Sequence, residues 1–260
     1  MKAPLLTWCE NKMKRQISKK LTQTFRIAKI DLILILVPAL LWFGATSSRS
    51  LVISPPCAKA PQTCSKESVF PMDRLSIGME DSLADQYSYL TQNFSGVLAV
   101  SVPTVWNVAL LGAGVLNPVA ALAAWGAEVS IVAQAAAWNG LFTEVSHLIS
   151  QRPRPFVYMD PANRGIDPAH YTSFYSGHTS FTAAMNTAIF LILVIRGAPF
   201  ILVLLSAVSG FSLIFATAYF RILAGRHFLT DVICGGMAGI TVSYFILRYH
   251  RLRSELALPK

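Results

Sequence analysis

His227 and Asp231 stand four apart in a stretch that runs Arg-Ile-Leu-Ala-Gly-Arg-His-Phe-Leu-Thr-Asp from Arg221. On a helical turn such a pair shares one face. A carboxylate there can hold the imidazole by one nitrogen and leave the other to attack, the logic of an activated nucleophile. Arg221 and Arg226 set fixed positive charge beside it. Alone the pair is a weak signal, because His and Asp at this spacing are ordinary surface groups. Two upstream segments add to it. Residues 147–155, His-Leu-Ile-Ser-Gln-Arg-Pro-Arg-Pro, bring His147, Arg152 and Arg154. Residues 175–178, Tyr-Ser-Gly-His, open a helix whose Ser176 and Gly177 N–H groups would cradle an anion. Gly177 lets backbone approach a ligand closely, and His178 stands where a leaving oxygen needs a proton donor. Cations and N–H donors dominate this set, which suits a phosphate better than a neutral ester. The three histidines could bind zinc, but the arginines would repel a cation. Neither a metal nor a cofactor is expected.

The elements that must position these groups are membrane spans. Of 260 residues, 53% are hydrophobic and 13% charged, about half the charged share of a soluble domain. Mean hydropathy is +0.49 and the apolar residues come in long blocks, which indicates an all-α, polytopic helical membrane protein. Six spans are expected, beginning at Leu32 and covering 97–116, 119–149, 181–195, 200–219 and 232–247. A net charge of +9 raises nucleic acid as a partner. The basic residues cluster at the chain ends beside apolar spans, however, so they are read as topology signals and contacts to anionic membrane lipids, with no nucleic acid.

Residues 1–30 carry eight Lys and Arg against Glu10 and form a cytoplasmic arm, either an amphipathic helix on the membrane or solvated chain. A cleaved signal peptide is the alternative for the first apolar run; a retained anchor is favoured, and both place residue 50 outside. The domain expected is 31–248, with both termini cytoplasmic and a basic tail over 249–260. Residues 49–95 form an external loop in which Cys57 and Cys64 should pair as a disulfide. Cys9 and Cys234 are left unpaired. The portion from Asp73 to Leu90 has helical spacing and is expected to lie along the membrane. Glu128, in the third span, is read as a structural acid ahead of a functional one. The last two connections, 150–178 and 221–229, hold the candidate site at the outer, periplasmic face of a six-helix bundle.

The three segments resemble the tripartite signature of the type 2 phosphatidic acid phosphatase superfamily, the lipid phosphate phosphatases related to membrane-bound acid phosphatases and vanadate haloperoxidases. That signature runs Lys-x6-Arg-Pro, Pro-Ser-Gly-His and Ser-Arg-x5-His-x3-Asp; Arg154-Pro155, Ser176-Gly177-His178 and Arg221, His227 and Asp231 match it in order and spacing. The resemblance implies that His227 forms a phosphohistidine, that Asp231 orients it, and that His178 protonates the leaving oxygen. It also implies that Arg154, Arg221, Ser176 and Gly177 hold the phosphoryl oxygens. Three positions depart: His147 replaces the Lys, Tyr175 the Pro and Phe220 the Ser. Glu144, one turn before His147, could keep it protonated or pair with it structurally, and Arg152 could take over the lost charge. The expected activity is hydrolysis of a lipid phosphate monoester or diphosphate in an inner membrane: phosphatidate, phosphatidylglycerophosphate, undecaprenyl diphosphate or a lipid A phosphate. A phosphotransferase using the same histidine, and a non-catalytic lipid-binding or transport relative, are the alternatives. Oligomeric state is left open.

Overall fold

The structure, a computed structural model, describes residues 29–256. The arm read from 1–30 lies outside the described residues except for Lys29 and Ile30, as do Cys9 and the last four residues of the tail. All regular structure among the described residues is helical. Among the described residues six helices are long and apolar enough to cross a membrane: α1 (Lys29–Ser47), α2 (Ser82–Gly112), α3 (Pro118–Ser150), α4 (Gly177–Ile195), α5 (Phe200–Leu223) and α6 (Leu229–Leu256). Large apolar side chains such as Phe43, Phe200 and Phe211 point out of the bundle, as lipid contact requires and water would penalise.

α4 is the axis of the bundle, with α2, α3, α5 and α6 packed round it and α1 applied to the outside of α3. Small residues set these distances. A Cβ on Gly239 would stand 2.0 Å from the Ser180 carbonyl oxygen, and one on Gly235 would stand 2.6 Å from that of Ser176. The backbones of α4 and α6 therefore touch, as small residues four apart permit. On the other side, the Trp42 ring of α1 lies where a Gly140 side chain would be.

Polar groups inside the bundle find partners across helices. Asn107 Nδ2 donates to Glu128 Oε2 at 2.6 Å, Arg196 Nε lies 3.0 Å from Glu128 Oε1, and Arg196 Nη2 donates to Asn107 Oδ1 at 3.0 Å. Glu128 thus joins α2, α3 and the α4–α5 turn as a paired acid, far from the candidate site. Near the same end of the bundle, Asp31 of α1 pairs with Arg253 of α6 at 2.6 Å, and His250 faces Gln134 at 3.0 Å.

Two spans differ from expectation. No separate helix lies over 73–90: Asp73–Ser76 is a 3-10 turn, and from Ser82 the chain is already α2. The Asp81 carboxylate caps this start by accepting from Leu83 N and Ala84 N. Pro103 is carried inside α2. α3 starts as expected, with Asn117 capping Ala120 N and Pro118 at the first helical position. With 31 and 33 residues, α2 and α3 are about 46 and 50 Å long at 1.5 Å per residue, beyond a hydrocarbon core of about 30 Å. They extend into the region where the site is built. α6 runs on to Leu256, so the helix continues through most of the residues read as a tail.

Candidate active site

The connections at one end of the bundle are sewn together by backbone. Arg154 N donates to His170 O at 2.9 Å and Ser173 N to Arg152 O at 3.1 Å, so 152–154 and 170–173 run side by side. Before α2, Cys57 and Cys64 are bonded and pack with Val157 and Tyr171. The α5–α6 turn is clamped from the same side: Asp81 N donates to Leu223 O, and Gly225 (φ 64°) approaches Met79 so closely that a Cβ would meet its carbonyl oxygen at 1.8 Å. Only glycine satisfies both demands.

On this base the candidate residues converge. His227 is 2% exposed, and its Nδ1 donates to the Ser173 carbonyl at 2.7 Å. That bond fixes the tautomer and leaves Nε2 with the free lone pair. Burial, then the charges of Arg221 and Arg154, then His178, hold the imidazole well below its ordinary pKa, so the ring is neutral. Tyr89 of α2 touches two other members: its ring meets His178 edge-on at 4.4 Å and lies 5.9 Å from the Arg221 guanidinium. Arg154 is held by Nη2 to Thr172 Oγ1 at 3.0 Å. Arg154 Nε, Arg221 Nε and His178 Nε2 are buried and have no partner among the described residues. Buried donors of this kind cost free energy unless something accepts from them, and the phosphoryl oxygens of a substrate would.

Several expected contributors sit elsewhere in this arrangement. Asp231 Oδ2 is 3.9 Å from His227 Nδ1, too far for a hydrogen bond. Its carboxylate accepts instead from Ser173 Oγ at 2.6 Å, Phe228 N at 3.0 Å and Arg152 Nη1 at 2.6 Å. It therefore braces the loop whose carbonyl holds the imidazole, and does not hold the imidazole itself. Arg152 does not replace a lost phosphate contact: its guanidinium joins Asp231 to Asp73 at 2.8 Å and stacks on Phe228. His147 is likewise absent from the anion cradle. Its Nε2 meets the Tyr175 carbonyl at 3.1 Å and its Nδ1 faces Glu144 at 3.4 Å, and Glu144 is in turn paired with Arg49. Ser176 caps α4 with Oγ, accepting from Thr179 N, and spends its own N–H on the Asp231 carbonyl at 3.0 Å. The N–H groups of Gly177 and His178 occupy the first positions of α4, where no intrahelical acceptor exists.

Other residues escaped the spacing argument altogether. Asp85 accepts from Arg221 at 2.7 Å and from Arg226 at 2.8 Å; Asp73 accepts from Arg152 and from Thr230 N at 2.9 Å. Both lie in the stretch before and at the start of α2. The available signal was charge: the five acids of 49–95 share a face with seven arginines, Arg152, Arg221 and Arg226 among them.

Residues 128–255 match the sequence model of the PAP2 superfamily. No curated protein and no solved structure matches the chain.

Proposed function

Since residues 128–255 make the chain a member of the PAP2 superfamily, whose members are phosphatases, we propose that it hydrolyses a phosphate monoester or diphosphate carried by a lipid. The observation that supports this most is the neutral His227, tied through Nδ1 to Ser173, in the company of the unpartnered buried nitrogens of Arg154, Arg221 and His178. Phosphoryl transfer asks mainly for positioning and charge neutralisation. In the proposed reaction His227 Nε2 attacks phosphorus, and the bond to the lipid oxygen breaks as the P–N bond forms. His178 gives a proton to that oxygen. Water then attacks phosphorus, its proton passes to His178, and the electron pair of the P–N bond returns to Nε2. Arg154, Arg221 and the N–H groups at the start of α4 bind the phosphoryl oxygens throughout. Asp231, Asp73 and Asp85 act indirectly by holding the backbone and the arginines.

Six apolar helices fit a multi-pass membrane protein, which favours a lipid over a soluble ester. We place the site end on the outer face of a bacterial-type inner membrane, because Arg196, Arg248, Arg251 and Arg253 lie at the opposite end of the bundle and the sequence preceding α1 is basic. The candidate substrates are phosphatidate, phosphatidylglycerophosphate, undecaprenyl diphosphate and a lipid A phosphate. The test is phosphate release by purified protein from each of these, with and without chelator, beside His227→Ala. We expect release from one class, unaffected by chelator, falling at least about a thousandfold in the variant, as loss of a nucleophile does. Equal release by His227→Ala would remove the histidine mechanism.

A further inference from the structure

Residues 69–76 form a turn that is inside out for a loop in water. Its polar side chains are buried, with Asp73 1% and Ser76 0% exposed. Its apolar ones point away from the protein, Phe70 at 57% exposed, Met72 at 54% and Leu75 at 71%. The exposed charge between Phe70 and Leu75 is Arg74, and it turns back on the chain. Its Nε donates to Val69 O at 2.8 Å and its Nη2 to Glu67 O at 2.7 Å. A loop surrounded by water buries the opposite set. A loop at a bilayer surface shows this one, with apolar side chains in the acyl boundary and the guanidinium drawn up to polar neighbours. The turn also stands at the height where such a surface lies. Asp73 fastens it to the first turn of α6, accepting from Thr230 N at 2.9 Å and from Thr230 Oγ1 at 2.6 Å. Following Thr230 on that face of α6 come Ile233, Met237 and Ile240, all exposed, at the spacing of one helical side. The 20-residue step from Ile233 to Arg253, which pairs with Asp31 at the far end, covers about 30 Å of helix, the thickness of a hydrocarbon core. Thr230 stands about 5 Å beyond it, inside the headgroup layer. His227 precedes Thr230 by three residues, so the candidate site lies at the level of lipid phosphates.

We propose that the turn from Phe70 to Leu75 is an interfacial anchor for a phospholipid leaflet. Phe70, Met72 and Leu75 insert among the upper acyl segments on the site side of the membrane and hold the mouth of the site at the depth of lipid phosphates. Asp73 passes that position on, since it also accepts from Arg152 Nη2 at 2.8 Å, and Arg152 holds Asp231. The occupant of this apolar face is lipid because the face continues the exposed stripe of α6 and its depth is that of the interface. The consequence for turnover rests on the phosphatase reading above; the anchor itself does not.

A nitroxide on Leu75→Cys reports the surroundings directly, in full-length protein with Cys9 and Cys234 replaced by Ser and reconstituted in phosphatidylcholine–phosphatidylglycerol vesicles. Collision with oxygen, which concentrates in lipid, is compared with collision with a water-soluble nickel chelate. We expect oxygen to dominate at position 75 and nickel at Glu67→Cys, an exposed position on the polar side of the turn. Nickel dominating at 75 overturns the proposal. Shielding from both overturns it too, because a second copy of the chain would then cover the turn. For turnover, Phe70→Ser, Met72→Ser and Leu75→Ser are combined in one variant. Its kcat/KM on a long-chain phosphatidate in the same vesicles should fall about tenfold, while a short-chain, water-soluble phosphatidate should be cleaved within about twofold of wild type. Equal losses on both substrates would overturn the presentation of lipid to the site and leave a turn that only supports the fold. Oxygen dominance at 75 in a protein that releases phosphate from no lipid would keep the anchor and overturn the phosphatase reading.

Discussion

Ser173 carries two bonds that the spacing of His227 and Asp231 assigns to one. Its carbonyl holds the imidazole and its hydroxyl holds the carboxylate. A spacing of four on a helix predicts a direct pair, but His227 precedes α6 and lies in the turn, off the helical register, so the two side chains diverge. His227, His178, Arg154 and Arg221 were legible because three short segments carry them at fixed spacings. Ser173, Tyr89, Asp73 and Asp85 were not, since no local rule links residues separated by 79 or 136 positions. One consequence of the buried imidazole is a pH dependence. Its lowered pKa means that between that value and 6.5 the unfolded chain binds a proton that the folded chain refuses; stability therefore falls as pH drops below 6.5. The nucleophile stays neutral across that window. We expect the acid limb of kcat/KM, corrected for ionisation of the lipid phosphate, to lie below pH 6.5; a limb at or above 6.5 belonging to His227 would contradict the environment described.

At the scale of elements, six spans were readable from run length alone, and the start of α3 from Asn117-Pro118. The true length of α2 was hidden because its first turns are polar. Ser88, Thr91 and Ser95 return their hydroxyls to carbonyls of the preceding turn, so a hydropathy reading stops short of the helix. The close contact of α4 with α6 was also missed, although Gly235 and Gly239 stand four apart in the sequence. This contact fixes the start of α4, which carries His178, relative to the start of α6, which carries Asp231. Gly239→Leu should wedge the two helices apart at Ser180. We expect about 1–3 kcal/mol of overpacking cost, seen as a lower unfolding temperature in detergent, and a loss of turnover larger than the lost folded fraction explains. Gly44→Leu, at a position where a Cβ meets nothing within 4 Å, serves as the control and should leave both unchanged.

For the whole molecule, charge is distributed as paired sets at both ends of the bundle. Glu128 and Arg196 are 0% and 3% exposed, so removing one leaves the other buried without its counter-charge. Glu128→Leu should cost about 3–5 kcal/mol, and Glu128→Leu with Arg196→Leu should recover most of it. SDS-driven unfolding of the single and double variants measures this; an additive double variant would show that the pair is not coupled. At the site end the pairing has a direction along the chain. Asp73 and Asp85 come early, whereas Arg152, Arg221 and Arg226 come late. In the topology proposed above, the acids leave the ribosome first during synthesis and reach the outer side of the membrane with the first hairpin. Each later turn then brings its arginines across to carboxylates already waiting there. Translocating cationic turns runs against the usual bias of membrane insertion, and the order of the chain supplies a receiving charge for each one as it arrives.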